Sequence, residues 1–93
     1  MIIGLISWEL EIYGCQSLKE KRSVVKSLKD RLHDRFNVSV AETGHHDLWQ
    51  RAELSACVVA TARSHAESVL DSADRLVAGE ARARIIDSYR TFY

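Results

Sequence analysis

The stretch Ile2-Ile3-Gly4-Leu5-Ile6-Ser7-Trp8-Glu9-Leu10-Glu11-Ile12 decides the fold. Its even positions are Ile2, Gly4, Ile6, Trp8, Leu10 and Ile12, whereas Ser7, Glu9 and Glu11 fall on odd positions. That is the two-residue period of a strand with one buried face. Gly14 then turns the chain. Ser17 followed three residues later by Glu20 forms a capping box, which satisfies free backbone N–H groups where a helix begins. Leu18, Val25, Leu28 and Leu32 recur at helical spacing, so the helix is predicted to run to about Asp34 and to bury that stripe.

Further along, Asn37 to Thr43 is rich in β-branched residues with Val38 and Val40 on one side, and Gly44 opens a polar turn. A second alternating run follows, with Ala52, Leu54, Ala56, Val58 and Ala60 on one face and Arg51, Glu53, Ser55, Cys57 and Val59 on the other. The pair reads as a hairpin. Ser64 with Glu67 forms a second capping box that starts a helix with apolar positions Ala66, Val69, Leu70, Ala73 and Leu76 and a stop at Gly79. Ala83 to Tyr93 is the last strand. The order βαββαβ, with no linker or repeat, predicts one α+β domain over residues 1–93. Its expected form is a split-βαβ sandwich of four antiparallel strands with both helices on one face. Element order alone also admits a rewired sheet.

Ninety-three residues suit one modest core, and 46% apolar content is that of a folded soluble domain. Thirteen basic and thirteen acidic residues cancel, so affinity for an anionic partner has to come from local charge. That charge is uneven: Lys19, Lys21, Arg22, Lys26, Lys29, Arg31 and Arg35, more than half of all Lys and Arg, lie within one segment against Glu20, Asp30 and Asp34. Cys15 and Cys57 form no CxxC pair, and no signal peptide or long apolar span is present. A reduced cytoplasm is expected, with no membrane partner and no DNA.

Lys19, Arg22, Lys26, Lys29 and His33 follow i, i+3, i+7, i+10 and i+14, a narrow stripe beside the apolar one. Such a stripe neutralises phosphates and positions a nucleic-acid backbone without reading its bases. A solvated helix face is the plain alternative. Lys21 is different because it falls inside the apolar stripe, while Glu42 shares the inward face of Val38 and Val40. A Lys21–Glu42 ion pair that offsets the desolvation of both is the structural explanation, set against a catalytic lysine.

His45, His46 and Asp47 sit together in the hairpin turn, but adjacent residues rarely point at one ion, and no HxH or HxxxH spacing accompanies them. Polar turn chemistry is expected, with no metal and no cofactor. Trp49 is expected to anchor the strand entrance against the core, base stacking being the alternative. On the sheet face away from the helices, Ile3 and Leu5 should neighbour Cys57 and Val59, extended by Tyr89 or Tyr93. An apolar patch there suggests a homodimer, since the aromatic pair of an RNA-recognition sheet is missing.

SLKEKRSVVKSLKDRL at Ser17–Leu32, RFNVSVAE at Arg35–Glu42 and HDLWQRA at His46–Ala52 together resemble the YlxP-like family of small bacterial proteins, a domain of unknown function. The resemblance covers essentially the full length and is weakest after Gly79. It implies a ferredoxin-like fold and a cytoplasmic protein, often encoded among translation genes near initiation factor two and ribosome-binding factor A. It implies no established activity. Tyr13 stands where the family commonly has proline, and Thr43-Gly44 also departs from its pattern. The leading expectation is a non-enzymatic accessory protein that contacts RNA or the ribosome through the first helix. The second is a homodimeric scaffold or regulatory module using the sheet face. The third and weakest is an acylphosphatase-like enzyme with Arg22 and Asn37 on phosphate, although Gly14 stands alone where such enzymes place a glycine-rich cradle.

Overall fold

The computed structural model describes residues 1–93 as β1 (Ile2–Ile12), α1 (Leu18–Arg35), β2 (Ser39–Gly44), β3 (Arg51–Ala60), α2 (Arg63–Ala78) and β4 (Ala83–Phe92). The strands make one antiparallel sheet in the order β2-β3-β1-β4, the ferredoxin-like arrangement. Ile6, Trp8, Leu10 and Ile12 of β1 and Ala52, Leu54, Ala56, Val58 and Ala60 of β3 point to the same side. There they meet Val24, Val25, Leu28 and Leu32 of α1 and Ala66, Leu70, Ala73 and Val77 of α2. Period two and period 3.6 thus meet in one core.

Close approach of α2 to β1 depends on small residues. A Cβ on Gly4 would lie 3.2 Å from Leu70 Cδ1 and 3.3 Å from Ala66 Cβ, so a side chain there would push the helix away. Trp8 is fully buried, and its indole N–H donates to Asp74 Oδ1 at 2.9 Å, which supplies the partner a buried Trp requires. At the other helix, Gly14 takes φ +61°, a conformation that favours glycine. Ser17 Oγ accepts from Glu20 N–H at 3.2 Å, while Glu20 Oε2 accepts from Gln16 N–H at 2.8 Å.

Two boundaries differ from the sequence reading. The N-cap of α2 is Ala62 and makes no side-chain bond, because β3 ends at Ala60 and the short connection starts the helix at Arg63, before Ser64 can act as a cap. Glu67 pairs instead with Arg63 Nε at 3.1 Å, and the Arg63 guanidinium lies over the Phe92 ring. β2 begins at Ser39 and not at Asn37: α1 extends to Arg35, and Phe36 N–H still reaches back to Leu32 O, so the intervening residues serve to leave the helix.

An ion cluster that sequence reasoning did not find joins α1 to the α2–β4 connection. The buried Glu80 carboxylate accepts from Arg82 backbone N–H at 3.0 Å, from Arg82 Nε at 2.8 Å and from the Arg31 guanidinium. The Arg82 side chain, then its backbone N–H and Arg31, outweigh burial and hold Glu80 down to about 2. Since that lies below the ordinary 4.5, the stabilisation is present above the ordinary value and is lost as pH falls through about 2. Glu80→Gln should lower stability at pH 7 by about 1.5–3 kcal/mol, the scale of hydrogen bonds to charged groups. Urea denaturation of both proteins should show the gap narrowing as the pH falls below 4.5; a variant as stable as the parent at pH 7 would mean that the cluster contributes nothing.

Candidate functional site

Helix α1 presents its basic stripe to solvent because the opposite face is taken by Val24, Val25, Leu28 and Leu32. At about 100° per residue, Lys19, Arg22, Lys26 and Lys29 fall within an arc of about 80° and span about 15 Å along the axis. Lys26 is partly neutralised: it donates to Asp30 Oδ2 at 2.7 Å, which raises the Lys26 pKa and lowers that of Asp30. Lys19, Arg22 and Lys29 have no intramolecular carboxylate partner. Arg75 of α2, which sequence reasoning left out, shares a shallow groove with Arg35, Phe36, Ser72 and Leu76 and donates only to Ser72 Oγ. Positive charge therefore continues from α1 onto α2; only the helix packing brings the two arginines together.

Lys21 is 1% exposed, whereas every other lysine and arginine of α1 is exposed or half-buried. Its Nζ lies 3.0 Å from Glu42 Oε2 and donates to His45 O. Glu42 Oε2 is buried and has no aligned hydrogen-bond donor, so the Lys21–Glu42 contact acts through charge. The His45 carbonyl also accepts from Leu48 N–H at 3.1 Å, and His45 itself has φ +59°, so one ammonium group pins a strained turn onto the first turn of α1. The turn's other polar groups go to separate partners: His45 Nε2 lies 2.6 Å from Glu9 Oε1, and His46 Nε2 lies 3.1 Å from Glu42 O. Trp49 does not anchor the core as expected. It is 49% exposed, because it belongs to the pinned turn, whose residues 45–50 are all exposed.

The sheet face away from the helices brings the four expected residues together, Ile3 opposite Val59 and Leu5 opposite Cys57. Tyr89 is opposite Ser7, and Tyr93 exchanges backbone hydrogen bonds with Ile3, so both aromatics extend the patch. Val59, Tyr89 and Tyr93 are 63%, 61% and 73% exposed. Farther along the strands the same face turns ionic, with Arg51 Nη1 3.4 Å from Glu9 Oε1 and Arg84 Nε 3.0 Å from Glu11 Oε1.

Residues 3–90 match the family described as a protein of unknown function, DUF503. The chain belongs to the DUF503 family. It is 41% identical to the uncharacterized protein YlxP of Bacillus subtilis (strain 168) over 69 residues, which cover 74% of this chain and 75% of that protein. Among solved structures, the de novo designed ferredoxin-fold protein LFR1 1 superposes with a TM-score of 0.58 at 17% identity, covering 100% of this chain and 84% of the other. A C-terminal segment of the alpha subunit of aIF2 from Pyrococcus abyssi gives a TM-score of 0.54 at 19% identity, covering 97% of this chain and 49% of the other. Both likenesses are of fold alone. No helix is long and apolar enough to cross a membrane.

Two features of this DUF503 chain bear on phosphate chemistry at the start of α1. The capping box already occupies N–H groups there with Ser17 and Glu20. Arg22 lies in the first turns of α1 and Asn37 beyond its C-terminal end, about 20 Å apart along the axis, so one phosphate does not meet both. Removing the charge that holds the hairpin tests the other polar element. Lys21→Met leaves the Glu42 carboxylate half-buried without its cation and should cost about 3 kcal/mol, the low end for breaking a buried pair. Adding Glu42→Leu should recover most of that loss. Guanidinium denaturation of the two single variants and the double variant gives the coupling, and additive losses would show that the pair acts as two independent groups.

Proposed function

We propose that this DUF503 protein is a non-enzymatic accessory protein of the cytoplasm that contacts RNA or a ribonucleoprotein such as the ribosome through the outer face of α1. The observation that carries this reading is the alignment of Lys19, Arg22 and Lys29 on one outward face without internal counter-charges, with Lys26 between them. Cations already paired within a protein have little to offer a phosphate. Unpaired ones displace condensed counterions and gain affinity from their release. Arg35 and Arg75 extend the same surface across the helix layer. The role calls for no cofactor.

A second surface supports a second reading. Tyr89, Tyr93 and Val59 leave a continuous apolar area on the open sheet face, and a second copy of the chain is its proposed cover, as in a homodimeric scaffold. The two readings use opposite faces of the sandwich and do not compete.

Replacing Lys19, Arg22, Lys26 and Lys29 together by Glu should abolish binding to ribosomal subunits and to generic RNA, with circular dichroism unchanged because the stripe lies outside the core. Single replacements should weaken binding mildly, and log affinity of the parent for single strands should fall with log salt by about 0.7 per phosphate contact. A folded quadruple variant that binds as tightly as the parent refutes the α1 reading. For the second surface, Leu5→Glu should shift the protein to monomer in sedimentation velocity; a parent that is monomeric throughout the micromolar range removes this reading.

A further inference from the structure

Trp49 and Leu48 leave 49% and 48% of their surfaces in solvent, yet the turn that carries them is firmly held. Lys21 Nζ and Leu48 N–H both donate to the His45 carbonyl, His45 Nε2 lies 2.6 Å from Glu9 Oε1, and His46 Nε2 lies 3.1 Å from Glu42 O. Ile12 N–H donates to Gln50 O at 2.9 Å, so the β1–β3 register runs on to that pair, and Tyr13, 51% exposed, and Trp49 are the next residues beyond it. A shallow recess of about 460 Å³ lies against the indole, lined by Asp47, Leu48, Trp49, Gln50 and Arg51. A large apolar ring on a turn that is already ordered loses little freedom when a ligand covers it.

The turn also sits at one end of the basic stripe. Leu48 N–H shares its acceptor with Lys21, and Lys19 and Arg22 lie within about 3 Å of Lys21 along the α1 axis. The recess itself does not suit a phosphate, because Asp47 has no cationic partner and Arg51 is engaged by Glu9 at 3.4 Å. It suits a flat ring, with an indole face to stack on and Asp47 and Gln50 as residue types that bond a base edge. Resting on the reading that α1 contacts RNA, we propose that the RNA is unpaired where it meets this protein, with one base stacked on Trp49 and the adjoining phosphates along Lys19, Arg22, Lys26 and Lys29.

Base pairing removes this mode of contact. In an RNA duplex both faces of each base are covered by its neighbours, so the duplex is left with phosphate contacts to the stripe. Stacking one base on an aromatic ring is about a 5- to 150-fold effect on affinity and depends little on which base it is. Trp49 therefore discriminates strandedness and not sequence, whereas the stripe alone binds both forms.

Trp8 is fully buried, so Trp49 alone reports on a ligand at the surface. Polyuridylate should quench the exposed indole of the parent, and the duplex poly(A)·poly(U) should bind without quenching it. Trp49→Ala should lower affinity for polyuridylate by about 5-fold or more, Trp49→Phe should retain most of it, and neither should change affinity for the duplex. Circular dichroism and the remaining Trp8 emission check that Trp49→Ala keeps the fold. Log affinity against log salt should have the same slope in the parent and in Trp49→Ala, since no phosphate contact is lost. A Trp49→Ala protein that binds polyuridylate as tightly as the parent, or a parent whose indole the duplex quenches equally, overturns the stacking while leaving the α1 reading in place. A parent that binds neither RNA overturns both. Emission that shifts with phosphatidylglycerol vesicles and not with RNA makes the turn a lipid-facing anchor and overturns the stacking as well.

Discussion

β1 hydrogen-bonds along both edges, to β3 and to β4, so its two-residue alternation sets the side of the sheet on which every neighbouring side chain falls. A slip of one residue would carry Ile6, Trp8 and Leu10 to the open face and bring Glu9 and Glu11 into the core. The cost of burying those carboxylates is large enough to specify the register by itself. With that register in place, β3 must present Ala52, Leu54, Ala56 and Val58 inward, and the helices have one apolar floor on which to lie. Gly4 and the alanines of α2 then set how closely the layers approach.

Buried polar contacts complete what apolar packing leaves loose. Lys21 ties the β2–β3 turn to α1 through Glu42 and the His45 carbonyl, Glu80 ties the α2–β4 connection to α1 through Arg31 and Arg82, and the Trp8 indole reaches Asp74 of α2. Each of these links joins an element of the sandwich to a helix. Apolar contact is non-directional, whereas an ion pair or a hydrogen bond between defined atoms penalises displacement, so the turns are held at defined positions relative to the helices.

The same layering separates two surfaces of different character. The helix layer faces outward with cations that lack internal partners, and the sheet faces outward with apolar rows that end at an acidic one. A partner attracted by summed charge and one attracted by apolar area are thereby directed to opposite sides of the protein.

Periodicity in the sequence determined the βαββαβ order, the inward and outward faces of β1 and β3, the first capping box and the basic stripe of α1, because each depends on residues close together in the chain. The Lys21–Glu42 pair was also legible, since a lysine in an apolar stripe demands a counter-charge and one inward carboxylate stood within reach of the expected topology. The start of α2 was misread because capping requires backbone geometry as well as residue type, and Ala62 occupies the cap while Ser64 lies within the helix. Trp49 was misplaced because the direction of the hairpin turn depends on the Lys21 contact with His45, made by residues far apart in sequence. Only the tertiary structure decided the Glu80 cluster, the groove shared by Arg35 and Arg75, and the division of the sheet face into rows. These features join residues from different elements, and their chemistry depends on register and helix packing, which local patterns do not encode.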